Sequence, residues 1–409
     1  MLFPANDYYL CTGCCACINV CTQQAIHMEG NEQGFFYPEI DESKCVDCGL
    51  CVKTCPVNCE TDANTYKAVY AALDKRDEDR AKSTSGGIFA VLAKHIIKQG
   101  GYVYGAALGK NMIVQHIEVC SLQELDKLRN SKYVQSEIGY SYQNAKKRLR
   151  DGALVLFSGT PCQIAGLKNY LGKEYSNLLT IDILCHGVPS PGVFRKYIKS
   201  EEIIVNSKLV DIQFRSKGIG WKKLLTDRYF ENGQKADWGD TFVPGFLNNY
   251  YLRESCYSCV YATDKRQGDI TLGDYWGYKE SAHEFIEDDD KGISLVIINT
   301  EKGQNAFNGI RRDIAFAKKS MEDAKQGNPV LYKPCDKPDD YMDFWNDYQT
   351  MSWKSLSEKY IQPQDRNDWM EIEKREYYDI PFVKRYRMHK RHIYINKIYH
   401  KLKRIGGRK

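Results

Sequence analysis

The sequence predicts an α/β core, a mixed sheet with flanking helices, preceded by a small cysteine-rich α+β domain and followed by a helical basic tail. Three observations carry this reading. Eight of the sixteen cysteines form two runs of one spacing between residues 11 and 55. From Tyr66 onward, short apolar runs alternate with segments of helical period, the pattern of an α/β sheet. The last stretch, 382–409, holds eleven lysines and arginines and no acidic residue.

The first cysteine run is Cys11-x2-Cys14-x2-Cys17-x3-Cys21. The second is Cys45-x2-Cys48-x2-Cys51-x3-Cys55, followed by Pro56. With this spacing a short chain wraps two cubane iron–sulfur clusters, each held by three thiolates of one run and the fourth of the other. Cys11, Cys14, Cys17 and Cys55 are expected to hold one 4Fe-4S cube, and Cys45, Cys48, Cys51 and Cys21 the second. Residues 1–62 therefore read as a bacterial-type, ferredoxin-like domain carrying two such clusters. Structural zinc takes four ligands per site and does not call for a third and fourth cysteine at these spacings, repeated twice. A disulfide framework fits less well still. Residues Met1 to Asp7 show no basic or apolar leader, and such thiols belong to a reducing compartment. The expected location is cytoplasmic. Two features depart from the pattern: Thr22 stands where proline usually follows, and Cys15 is an extra thiol, read as a bystander.

The core elements come in order along the chain. Tyr66–Leu73 reads as a strand. Gly86–Gln99 reads as a helix, with Ile88, Leu92, Ile96 and Ile97 at helical spacing and Gly100-Gly101 as the stop. Tyr102–Leu108 and Ile113–Val119 read as strands. Ser121-x-x-Glu124 is a capping box expected to open a helix, and Glu137–Arg150 is expected to be another. Ala153–Phe157 reads as a strand, Pro161–Leu171 as a helix with proline in its first turn, and Leu178–Leu184 as the next strand. Ser190-Pro191 caps a helix running to about Ile204. Leu209–Arg215 and Leu224–Glu231 read as strands, the second closed by the Asn232-Gly233 turn, and Ile270–Leu272 and Ile293–Asn299 come after them. From residue 330 the chain becomes polar and aromatic, broken by Pro334, Pro338 and Pro363.

The net charge of +5 is unevenly spread. Residues 1–62 carry nine acidic side chains and two lysines, against the eleven cations of the tail. Each end is expected to select partners electrostatically. In the tail Arg385, Arg387, Lys390, Arg391, Lys397, Lys401, Lys403 and Arg404 are interleaved with Ile393, Ile395, Ile398, Tyr399 and Leu402. That texture suits an anionic membrane surface or an acidic partner, the alternative being that it folds back on the acidic lobe. No apolar run approaches a membrane span.

Four further cysteines stand where an α/β sheet places ligands. Cys162 lies in the strand-to-helix turn Phe157-Ser158-Gly159-Thr160-Pro161-Cys162-Gln163. Cys185 follows the next strand in Leu184-Cys185-His186-Gly187, and Cys256-x2-Cys259 is a local pair. One local pair and two strand-end thiols suffice for a third cubane, with ordinary core cysteines as the alternative. With Ser85-Gly86-Gly87-Ile88, Ser131-Lys132-Tyr133-Val134-Gln135-Ser136 and Gly268-Asp269-Ile270-Thr271-Leu272-Gly273-Asp274, these motifs occur in family order over roughly residues 66–310. Together they resemble the beta-subunit family of coenzyme F-420 hydrogenases and dehydrogenases, fused to an N-terminal two-cluster ferredoxin domain. Chlorophyll-derivative reductases are similar to this core.

The resemblance implies an FrhB/FdhB-like fold, divided as 63–150 (N-terminal-like α/β domain), 151–330 (flavin and cluster domain) and 331–409 (helical, basic extension). It implies FAD on the core beside a cubane held by Cys162, Cys185, Cys256 and Cys259. The flavin contacts expected from it are Ser85, Gly86, Gly87, Ser131, Lys132, Tyr133, Gly159, Thr160, Gly273 and Asp274. Gly86-Gly87 opens a helix, whose free N–H groups suit a phosphate; an ordinary cap is the alternative. Alone, Lys132 would read as a solvated lysine and Tyr133 as core. No G-x-G-x-x-G fingerprint follows a strand, which argues against direct NAD use. His186 reads as a proton relay or a structural histidine, Arg266 as a phosphate partner or a surface residue, and Asp288-Asp289-Asp290 as a solvated loop. Cys59, Cys120 and Cys335 read as spectators.

The function so implied is that of an iron–sulfur flavoprotein oxidoreductase. It would pass electrons between the clusters, FAD and a small organic acceptor or donor, either coenzyme F-420 or a glycan-pathway substrate, with a ferredoxin or partner enzyme as redox partner. The alternative is an electron-transfer subunit that feeds a partner enzyme and has no substrate of its own. A zinc scaffold with a nucleic-acid-binding tail is the third reading and the one set aside.

Overall fold

The eight-stranded sheet at the centre of the molecule follows from its apolar runs. A computed structural model describes residues 8–59, 62–237, 239–278 and 286–361. The strands are β1 (Ile26–Gly30), β2 (Phe36–Ile40), β3 (Ala68–Asp74), β4 (Tyr102–Leu108), β5 (Val114–Val119), β6 (Val155–Gly159), β7 (Leu178–Ile183), β8 (Leu209–Ser216), β9 (Leu225–Phe230), β10 (Lys235–Ala236), β11 (Ile270–Asp274), β12 (Ser294–Ile298) and β13 (Ile314–Lys319). The large sheet has the order β13-β3-β12-β11-β7-β6-β4-β5. Its middle strands β12 and β7 are almost wholly buried, which is why they read as unbroken apolar runs rather than alternating ones.

Strand direction fixes where a site can form. β4, β6, β7 and β11 pair parallel in series, and β12 pairs antiparallel with both β11 and β3. The carboxyl ends of β3, β11, β7, β6 and β4 therefore share one edge. Connections leaving that edge carry Cys162, Cys185 and Asp274. The helices Ile88–Lys98, Ser141–Arg150, Pro161–Leu171, Pro191–Val205 and Glu301–Ile310 pack about the sheets. A smaller antiparallel sheet, β10-β9-β8, and the helices Tyr341–Thr350 and Trp353–Tyr360 complete the described core.

The cysteine-rich segment docks on this core through small residues. The β1–β2 hairpin presses Gly34 onto Gly192, at the start of the helix capped by Ser190. A Cβ on Gly34 would lie 2.4 Å from Gly192 Cα, and Gly34 also has φ +75°, so no other residue fits. Asn19 Nδ2 donates to Gly139 O (2.8 Å), and Gln143 Nε2 donates to Asn19 O (3.0 Å).

Several expectations need correction. Ser121 does donate to Glu124 (3.2 Å), but the chain then makes one 3-10 turn, Leu125–Leu128, and no helix. The helix expected over Glu137–Arg150 starts at Ser141, because Glu137 exchanges backbone hydrogen bonds with β5 at Val114 and His116. The Asp288–Asp290 segment is anchored rather than solvated. Asp289 takes a bidentate pair from Arg80 (2.9 and 2.7 Å), and Asp290 Oδ1 accepts from the Trp221 and Lys222 N–H groups. The basic tail, 382–409, lies outside the described residues. Among the described residues no helix is long and apolar enough to cross a membrane.

Candidate metal centre

The two N-terminal runs fold as one local design used twice. Cys15 and Gly49 occupy equivalent positions, both left-handed (φ 59° and 69°), and each turns the chain into a five-residue helix, Ala16–Val20 or Leu50–Thr54. The third cysteine of each run lies on that helix and the fourth ends it. Cys15 thus stands where the second run has glycine, with its Sγ toward Gly13 O (3.5 Å). The helices pack on each other, which brings the runs together. Cys11, Cys14, Cys17 and Cys55 line one pocket, together with Cys15, Met28, Pro38 and Val57. Cys51 has Cys48 and Cys21 as neighbours, and Cys45 Sγ lies 3.8 Å from Asp47 Oδ1. This second set is nearer solvent: Cys48 is exposed, as are Val46, Leu50 and Val52.

A second pocket is lined by all four of Cys162, Cys185, Cys256 and Cys259, with His186, Tyr261 and Arg266. Cys162 sits in the first turn of the helix Pro161–Leu171, Cys185 just beyond β7, and Cys256 in the 3-10 turn Glu254–Cys256. Burial pushes the Cys162 thiol up to about 11 and those of Cys185, Cys256 and Cys259 above their ordinary value as well. A thiolate there needs a compensating cation such as iron. Among the described residues no three His, Cys, Asp or Glu side chains converge on a single-ion site. The cysteines line the two pockets instead.

The two pockets meet. Thr12 lines both. Ser255, between Glu254 and Cys256, donates to Cys11 O (3.2 Å). Gly166 lies one helical turn beyond Cys162, on the same face. A Cβ there would fall 2.9 Å from Cys14 Sγ.

A row of buried polar groups holds the Cys162 turn. His116 Nε2 donates to Ser158 O (3.0 Å), Ser136 Oγ donates to His116 Nδ1 (3.0 Å), and Gln163 Nε2 donates to Ser136 Oγ (3.0 Å). Gln163 Oε1 in turn accepts the Thr160 N–H (2.9 Å). Burial lowers the His116 pKa to about 4, so the ring is neutral, as this row requires. Of the expected flavin contacts, Gly159 ends β6 and Thr160 caps the helix Pro161–Leu171, with Thr160 Oγ1 3.2 Å from Cys162 Sγ. Arg266 is not at the surface. It is buried, donates to the Ile183, Tyr261 and Thr263 carbonyls and lies 3.4 Å from Asp182, pinning the Cys259 loop to the end of β7. His186 is held by Asn249 Oδ1 (2.6 Å), and Cys335 reaches to within 3.8 Å of Cys256 O.

The remaining flavin candidates gather on one face, but most of their polar groups are engaged. Gly86 is not an open phosphate donor: its N–H goes to Ser294 Oγ (3.0 Å), and the Ser85 hydroxyl donates to Ile293 O. Gly87 caps the helix in a left-handed turn, φ 89°. Ser131 N–H donates to Thr84 Oγ1 (2.8 Å), next to Ser85. Lys132 donates to the Lys127 and Arg129 carbonyls rather than extending into solvent. Against Gly273 lies the Leu184 side chain. Tyr133 and Asp274 converge on Arg215, whose Nη1 donates to both (3.1 and 2.9 Å), while Trp221 Nε1 donates to Asp274 Oδ1 (2.8 Å). Trp221 stacks on Trp276 (4.8 Å). Beside them Lys217 donates to the Arg80, Ser85 and Lys291 carbonyls. Burial brings both Lys132 and Lys217 down to about 7, and neither pairs with a carboxylate among the described residues. Arg215, Lys217 and Trp221 were absent from the sequence-based set. Their signal was Phe214–Trp221, a basic-aromatic segment leaving β8.

Two family models match parts of the chain. Residues 152–324 match the family model for the C terminus of the coenzyme F420 hydrogenase/dehydrogenase beta subunit, and residues 10–59 match that of the 4Fe-4S dicluster domain. The F subunit of the F(420)H(2) dehydrogenase of Methanosarcina mazei is 24% identical over 337 residues, covering 79% of this chain and 88% of that protein. A putative ferredoxin-3 of Sinorhizobium fredii is 29% identical over 77 residues, covering 14% of this chain and 73% of that protein. A chain of the F420-reducing [NiFe] hydrogenase complex from Methanosarcina barkeri superposes with a TM-score of 0.44 at 18% identity, covering 73% of this chain and 93% of that chain.

Proposed function

We propose that the chain is an iron–sulfur electron-transfer subunit with a flavin site, since residues 152–324 match the C terminus of the coenzyme F420 hydrogenase/dehydrogenase beta subunit and residues 10–59 match a 4Fe-4S dicluster domain. It would pass electrons between two N-terminal cubes, a third cube, FAD and a small acceptor or donor, coenzyme F420 being the family precedent. When bound, the cubes supply single-electron steps and FAD the exchange between one and two electrons. The chain's own residues fix the order. Cys162, Cys185, Cys256 and Cys259 would hold the third cube. The row from His116 to Thr160 keeps the Cys162 turn in place, and Arg266 does the same for the Cys259 loop. Lys132 and Lys217, which make no ion pair among the described residues, stand on the Ser85–Ser131–Tyr133 face and suit an anionic cofactor group there.

The observation that carries the proposal is the meeting of the two cysteine pockets at Thr12. Anaerobically isolated protein should contain about twelve irons, from three cubes of four, one FAD, and F420-dependent dye reduction. Stoichiometric zinc with little iron would sink it. A second reading, a relay with no flavin or substrate of its own, is favoured by one observation: Gly86, Ser85, Tyr133 and Asp274 already spend their polar groups on protein partners. Twelve irons without flavin, and turnover only in the presence of a partner enzyme, would select it.

A further inference from the structure

Six arginines of the described residues are buried: Arg80, Arg129, Arg215, Arg228, Arg253 and Arg266. Five face a carboxylate, namely Asp289, Asp79, Asp274, Glu201 and Asp182. Arg253 does not. Its side chain is completely buried, and among the described residues no carboxylate pairs with it. Nε donates to Cys11 O (2.6 Å) and Nη1 to Gln135 Oε1 (3.0 Å), while Nη2 is buried with no partner. Tyr37 and Phe35 rings flank the guanidinium at 4.0 and 5.6 Å. A buried cation left with neutral partners is costly, and structures seldom keep one without a counter-charge.

The counter-charge can come from the two cysteine pockets. The Arg253 carbonyl accepts the Cys256 N–H (2.8 Å), so a single residue joins a ligand of one pocket to a ligand of the other. Gly13, at φ +68°, lets the first ligand loop close on it: a Cβ there would lie 3.2 Å from the guanidinium carbon. A cube in four thiolates is an anion, and its potential follows net charge, hydrogen bonding and burial. A fixed cation beside it makes the added electron less unfavourable.

We propose that Arg253 is the shared counter-cation of the two interior cubes, those of Cys11, Cys14, Cys17 and Cys55 and of Cys162, Cys185, Cys256 and Cys259. It raises their potentials relative to the exposed cube of Cys21, Cys45, Cys48 and Cys51. This rests on the three-cube reading above, so the iron content of the parent chain is measured first. About eight irons instead of twelve would refute that reading by itself.

The test is an anaerobic potentiometric titration of the full holoprotein, followed by EPR, with Arg253→Gln and Arg253→Lys. Gln keeps a donor for Cys11 O and removes the charge. It should lower both interior midpoints, changing the oxidised-to-reduced ratio at a fixed potential by about tenfold or more, about 59 mV for one electron. The exposed cube should stay at its parent potential, and Lys should bring both interior cubes back toward theirs. Interior potentials unchanged in a fully loaded Gln variant would overturn the proposal, as would an equal shift of all three cubes. If the Gln variant loses iron, Lys decides. Parent-like interior potentials then uphold the role of the charge, and lowered ones refute it.

Discussion

The N-terminal cysteines and the four at the sheet edge are held in place by different means. In the first region a left-handed residue, Cys15 or Gly49, a five-residue helix and a terminal cysteine form a closed local unit, and the terminal Cys55 of one unit lines the pocket of Cys11, Cys14 and Cys17 of the other. In the second, the ligands arrive from three separate connections and no local geometry relates them. The polar row from Ser158 through His116, Ser136 and Gln163 to Thr160 holds one, and Arg266 ties the Cys259 loop to the strand that precedes Cys185. A buried row of this kind is stabilising only when complete. The first region should therefore tolerate damage elsewhere, whereas the second depends on the sheet and on every member of its polar support.

The largest test of that contrast removes a ligand. Cys259→Ala should lower the iron content from about twelve to about eight, since one cube of four is lost. The two N-terminal cubes should still be reduced by a low-potential donor, because none of their ligands has changed. Flavin should remain bound, but its reduction from that donor should become slow. Unchanged iron with unchanged flavin reduction would show these four to be ordinary core thiols. Loss of all iron would show that the regions are not independent.

A smaller effect should come from the support rather than the ligand. Gln163→Leu keeps the volume close but leaves the Thr160 N–H and Ser136 Oγ without their partner. An unsatisfied buried polar group costs about 1–3 kcal/mol. The expected signature is selective: faster loss of the sheet-edge cube to a chelator, with the N-terminal cubes released at the parent rate. Equal acceleration of all three would mean that Gln163 only contributes to global stability.

The same contrast explains what was legible in the sequence. The eight N-terminal ligands could be read because their relations are local in the chain. Helix Pro161–Leu171 and strand Tyr102–Leu108 were legible to the residue, since a proline start and glycine stops mark them. Cys162, Cys185, Cys256 and Cys259 could be nominated from strand ends and a local pair, but their meeting in one pocket is a property of the sheet order β11-β7-β6. The flavin face was least legible. Gly86 resembles an open helix N-terminus, yet Ser294, more than two hundred residues away in the chain, takes its N–H. Arg215, which binds Tyr133 and Asp274, lies on β8 and shares no motif with either. The helix expected after Ser121 failed for a related reason: Ser121 and Glu124 meet side chain to side chain rather than capping the backbone, and in the turn that follows only Leu125 and Leu128 are buried, too narrow a stripe to sustain a helix.

The smallest expected effect concerns Cys15, the one thiol that makes the register of the first run ambiguous. Equivalence with Gly49 assigns it a backbone role, the left-handed turn before a short helix, and not iron binding. Its Sγ points to Gly13 O, although it borders the same pocket as Cys11 and Cys14. Alanine at this position bears the same left-handed strain as cysteine, so Cys15→Ala changes only the thiol. The variant should keep about twelve irons and lose at most about 1 kcal/mol, because a free buried cysteine behaves as a small hydrophobe. Cys15→Gly should be at least as stable, since glycine relieves a left-handed conformation that costs other residues about 1–2 kcal/mol. Gly49→Ala should show the converse loss: open space surrounds its Cβ position, so only backbone strain opposes it. Chemical denaturation of the three holoproteins, with iron counted at each midpoint, checks the set. Loss of four irons from Cys15→Ala would make Cys15 a ligand, and the local repeat that distinguishes this region from the sheet edge would no longer hold.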